Sequence, residues 1–105
     1  MAQELKPISI DALRDEIDRL DQQLVALLNQ RATCALEIGK LKEVMGMPIY
    51  QPAREAEVLA NVRAANGGPL DGDALTRLFE RIIDEARRLE RLPAAERHAQ
   101  DGSIE

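Results

Sequence analysis

Leu13, Ile17, Leu20, Leu24, Leu27, Arg31, Cys34, Ile38, Leu41 and Met45 follow one another at alternating spacings of four and three. That is the repeat of a helix burying one face, with a cation set in the apolar stripe at Arg31. Ser9 is a good N-cap, Asp11 places a negative charge in the first turn, and Gly46 and Pro48 end the helix after Met45. At 1.5 Å per residue, a helix from Ser9 to Met45 would be roughly 55 Å long. A compact domain of this chain length has a radius of gyration of only about 13 Å. Such a helix overruns any globule the chain could build alone, and a partner chain should cover the excess.

Two further helices follow. Gly46 to Tyr50 reads as a short loop, and Pro52 suits the first turn of a second helix running to about Asn66. Asn66-Gly67-Gly68-Pro69 breaks it. A third helix begins near Asp71, carries Asp73 in its first turn, and runs to Leu92 before Pro93. The predicted fold class is all-α, with one very long and two shorter helices. Residues 1–93 form the helical domain, and the polar stretch 94–105 is a disordered tail.

Composition narrows the function. The chain has 105 residues, room for one domain, and its 45% hydrophobic content includes only Tyr50 and Phe79 as aromatics, which suits helix packing. A net charge of −5 argues against nucleic acid as a partner, since phosphate binding needs a basic face. No apolar run approaches the roughly 20 residues of a membrane span, and the N-terminus lacks the pattern of a secretory signal, which points to the cytoplasm. Cys34 falls on the apolar stripe and reads as a small core residue. His98 stands alone in the polar tail, so no metal site and no cofactor are expected.

Candidate chemistry lies where charged residues occupy faces that should be apolar. Arg31 is one, and Lys42, eleven residues on, sits about 20° around the helix and roughly 16 Å further along it. On the third helix Phe79, Ile83, Ala86 and Glu90 share a stripe, which places a carboxyl group on the inward face. Buried charges must pair, either with one another in structural ion pairs or with a ligand. Around the proposed core the cations Arg14, Arg31, Lys42 and Arg54 outnumber the carboxylates Glu55 and Glu90 although the chain is acidic, which suggests an anionic ligand.

Leu13-Arg14-Asp15-Glu16-Ile17-Asp18-Arg19-Leu20-Asp21, Leu27-Leu28-Asn29-Gln30-Arg31, Ile38-Gly39-Lys40-Leu41-Lys42, Pro48-Ile49-Tyr50, Arg54-Glu55, and Leu78-Phe79 to Ile82-Ile83 occur in this order. With these motifs the chain resembles the all-helical, AroQ class of chorismate mutase from Ile10 to about Leu92. The resemblance implies an intertwined homodimer that rearranges chorismate to prephenate without a cofactor, in aromatic amino-acid biosynthesis. It also implies a site in which Arg14 reaches across from one subunit and Arg31, Lys42, Arg54, Glu55 and Glu90 belong to the other. Arg14 and Arg31 are about 25 Å apart along one helix axis, too far to grip one small molecule, so only an antiparallel partner could bring them together.

The implied roles follow the substrate's chemistry. Arg14 and Arg31 would hold its two carboxylates, while Lys42 and Glu90 would donate to the ether oxygen as charge grows there. Glu55 would accept from the ring hydroxyl, assisted by the backbone near Gln51. Glu90 stands where the better-known pattern often has glutamine, and a glutamate donates only when protonated. Burial beside the substrate's carboxylates would favour that form. Ala86 replaces a serine and Gln51 an acidic residue. The same scaffold also serves a lyase that removes pyruvate from isochorismate. A non-catalytic regulatory or docking dimer, or association with a partner enzyme of the same pathway, are further readings.

Overall fold

The computed structural model describes residues 8–92, and every regular element among them is helical. The order is α1 (Ile10–Met45), α2 (Pro52–Ala65) and α3 (Gly72–Glu90). The expected tail at 94–105, with Pro93 and His98, lies outside the described residues.

Each helix end has a local cause. Ser9 caps α1, its Oγ accepting from the Ala12 amide at 3.0 Å, and Asp71 caps α3 by accepting from the Ala74 amide at 2.7 Å. At Gly46 the backbone enters the left-handed region, with φ of 68°, where a side chain would be strained. The turn lets the Met47 amide donate back to the Lys42 carbonyl at 2.9 Å, satisfying a helix-end acceptor and reversing the chain. α2 has no side-chain cap: Pro52 opens it, and the Gln51 carbonyl accepts from the Glu55 amide at 3.1 Å.

The chain divides into two compact units, Met1–Arg31 and Ala32–Glu105. The described part of the first is the N-terminal stretch of α1, whose stripe residues Leu13, Ile17, Leu20, Leu24 and Leu27 are all exposed. Arg19 pairs with Glu16 one turn away on this surface, and that hydrogen bond holds the Glu16 carboxyl below the usual carboxylate range.

In the second unit Ala35, Leu36 and Ile83 form the buried apolar core. α2 packs on α3 and is tied to it by Arg63, which donates to Thr76 Oγ1 at 2.8 Å and to Asp73 at 3.2 Å. The buried face of α1 here is Ala35, Leu36, Gly39 and Lys42. Cys34, placed by periodicity in the core, is exposed, as are Ile38, Leu41 and Met45. The cause is a rotation of one residue: positions 35, 39 and 42 each follow a stripe position by one, about 100° around the helix. The chain's own packing uses that adjacent face and leaves the periodic stripe outside.

Candidate active site

Lys42 occupies the last turn of α1, on the face that the second unit buries. Gly46 then reverses the chain, and the loop returns the Ile49 carbonyl to within 3.0 Å of the Lys42 ammonium. From the end of α3, Glu90 Oε1 accepts from the same ammonium at 3.0 Å, and both side chains are only 11% exposed. Lysine has three donors, and these two contacts use two of them. Gly39, one turn before Lys42, makes the approach possible: a β-carbon there would lie 3.2 Å from the Glu90 Cα and 3.2 Å from its Cγ.

A second group of charges lies on the same unit. The half-buried Glu55, in the first turn of α2, pairs with Arg87 of α3 at 3.4 Å. Arg87 also donates to Asp84 at 2.6 Å and lies over the Tyr50 ring, 5.1 Å from its centre. Ile49 and Tyr50 are neighbours in the loop, so the backbone that meets Lys42 continues into the ring that meets Arg87. Arg87 and Glu90, three residues apart on α3, share a helix face.

The other expected site residues are placed as follows. Gln51 is half-buried ahead of α2, and Ala86 is half-buried on α3. Arg54 faces solvent, 62% exposed and paired with Glu57 at 2.7 Å. In the first unit Arg14 is exposed, while Arg31 at its end is half-buried. The surplus of cations expected from sequence is therefore not met inside the second unit. Lys42 and Arg87 face the carboxylates of Glu90, Glu55 and Asp84, and Arg54 is balanced by Glu57. Sequence reasoning missed Arg87, whose signal was its position one turn before Glu90. It also passed over the role of Gly39, a glycine inside a helix where only close approach of another backbone requires one.

Fold and site together define the class: an all-α domain with a buried lysine–glutamate pair supplied by its first and last helices. Residues 13–91 match the family model described as chorismate mutase type II, and the chain belongs to that family. It is 40% identical over 86 residues to the bifunctional chorismate mutase/prephenate dehydratase of Pseudomonas aeruginosa, covering 77% of this chain and 24% of that protein. The Aquifex aeolicus protein of the same name is 37% identical over 83 residues, covering 75% and 23%. The chain thus spans about a quarter of the length of these curated relatives. Among solved structures, a chorismate mutase from Thermus thermophilus (form II) is similar with a TM-score of 0.76 at 40% identity, covering 77% of this chain and 92% of that one. The Helicobacter pylori chorismate mutase in complex with prephenate aligns with a TM-score of 0.71 at 34% identity, covering 77% and 88%.

Proposed function

We propose that this chain rearranges chorismate to prephenate, as a homodimer whose two sites each combine residues of both subunits. The observation that carries the reading is the buried Lys42–Glu90 pair, set by the backbone of Ile49, inside the stretch that matches the family. The reaction is a unimolecular [3,3] shift: the ether carbon–oxygen bond breaks as a carbon–carbon bond forms, and no covalent intermediate is needed. What the protein must supply is a folded substrate and fixed charge where charge develops.

Arg14 of the partner subunit and Arg31 hold the two carboxylates, which brings the enolpyruvyl side chain over the ring. Lys42 points its third donor at the ether oxygen, and its contacts with Ile49 and Glu90 hold it there before the reaction begins. Preset donors of this kind favour the transition state over the bound substrate. Glu55 accepts from the ring hydroxyl, with the backbone at Gln51 beside it. Arg54 must leave Glu57 to reach the substrate, a small cost because exposed pairs contribute about 1 kcal/mol or less. The exposed stripe from Leu13 to Leu27 is the surface that the second copy covers.

The compartment proposed is the cytoplasm; no helix among the described residues is long and apolar enough to cross a membrane. The relatives named as fusions with prephenate dehydratase support a partner enzyme that consumes the product.

The test is to mix the purified protein with chorismate at about pH 5 and about pH 8, follow loss of the substrate's ultraviolet absorbance, and identify the product. Prephenate supports the proposal. No product from chorismate, with pyruvate released from isochorismate, identifies the lyase instead.

Two predictions arise here. Glu90 accepts from the Lys42 ammonium at 3.0 Å, and in Glu90→Gln the amide oxygen still accepts while the amide nitrogen can donate to the ether oxygen, so kcat/KM should hold or rise. A large loss of kcat/KM in Glu90→Gln would show that the carboxylate charge itself is required. Gly39→Ala should remove about 1 kcal/mol of helix cost, yet displace Glu90 by a few tenths of an ångström. Turnover should fall about tenfold with little change in Tm; unaltered turnover would show that the close approach does not set the pair.

A further inference from the structure

We infer that Arg87 is a positioning residue of this site, acting through Glu55; the inference rests on the proposed rearrangement of chorismate. Three segments converge on its guanidinium. Glu55 reaches it from α2 at 3.4 Å, Asp84 anchors it from one turn earlier on α3 at 2.6 Å, and the Tyr50 ring of the connecting loop lies 5.1 Å from it. The Arg87 side chain is 20% exposed and that of Glu55 26%, so the pair is neither sealed in the core nor loose on the surface.

The arrangement gives each partner a task. A glutamate side chain has three rotatable bonds, and a carboxylate that must accept a hydrogen bond from one hydroxyl loses rate whenever it rotates away. A guanidinium is planar and presents its donors in a rigid fork, so with Asp84 on one nitrogen and the tyrosine ring beside the group, the directions open to the other nitrogen are restricted. Arg87 thereby fixes which way the Glu55 carboxylate faces. The Nη1 contact to Glu55 is the longer of its two ion pairs. That leaves carboxylate lone pairs for a ligand hydroxyl.

Arg87 also stands next to Ala86, where the family pattern has a serine on a substrate carboxylate. No hydroxyl exists at 86 for that task. What the neighbouring arginine supplies is orientation of a different group, the acceptor for the ring hydroxyl.

The test is a double-mutant cycle on chorismate with the full chain: wild type, Arg87→Gln, Glu55→Gln and the double variant, with Arg87→Lys as the conservative control. Arg87→Gln should lower kcat/KM about tenfold. In the Glu55→Gln background the same change should cost less than about twofold, because the group it acts through is already altered. Arg87→Lys should recover part of the loss, keeping the charge without the fork. Losses that multiply independently, or a lowered Tm with unchanged kcat/KM, would overturn the inference and make Arg87 a plain clamp between helices. A wild-type chain that does not turn over chorismate overturns the proposed function, and this inference with it.

Discussion

Lys42→Ala should lower kcat on chorismate by about 100- to 1,000-fold, the range seen when a preset donor to a developing oxyanion is removed. The ammonium is the one full positive charge joined to both the Ile49 carbonyl and the Glu90 carboxylate, each at 3.0 Å. The same substitution strands Glu90 in a place where its side chain is 11% exposed, and breaking such a pair costs on the order of 3–5 kcal/mol. Loss of activity could then be mistaken for loss of the fold. The double variant Lys42→Ala/Glu90→Gln separates the two effects. It removes the uncompensated carboxylate, so stability in urea should recover substantially, while the rate should stay low because nothing replaces the ammonium. Recovery of the rate together with stability would show that Lys42 acts only as a structural partner.

Mixing two inactive variants should restore activity. If Arg14 of one subunit completes the site of the other, an Arg14→Ala chain and a Lys42→Gln chain each form inactive homodimers. In the mixed dimer one site combines an intact Arg14 with an intact Lys42, and the other carries both defects. Random reassortment makes half of the dimers mixed, each with one working site of two, so activity should rise to about a quarter of wild type. Unfolding and refolding the chains together would allow exchange. No recovery, with mixed dimers demonstrated by mass, would mean that Arg14 and Lys42 serve a site within one chain.

Much of the fold was legible because its signals are local. Ser9 and Asp71 are caps whose side chains accept from amides three residues on, and Gly46 turns the chain where only a residue without a β-carbon does so freely. The predicted ends of the helices agree with those observed to within two residues. The lysine–glutamate pair was partly legible. Both residues were singled out as charges on inward faces, but their union across 48 positions required the end of α3 to meet the last turns of α1.

Other features were not legible, for a common reason. Periodicity states that one face of α1 is apolar and does not say which neighbour covers it. Cys34 and Ile38 therefore read as core, whereas the chain buries Ala35, Leu36, Gly39 and Lys42, one residue further round. Arg54 and Arg87 illustrate the same limit. By type and spacing both are arginines on helices next to carboxylates, yet one faces solvent with Glu57 and the other joins α2, α3 and the loop.

The sequence by itself determined the helices and their ends, because backbone hydrogen bonding, capping and side-chain period depend on neighbours a few positions away. Tertiary structure alone decided which face of α1 is covered, that Glu90 and the Ile49 carbonyl share one ammonium, and that Arg87 holds Glu55. The Lys42–Glu90 and Arg87–Glu55 contacts join residues 48 and 32 positions apart, the Ile49 contact depends on how the loop turns back, and no local pattern encodes which surfaces meet.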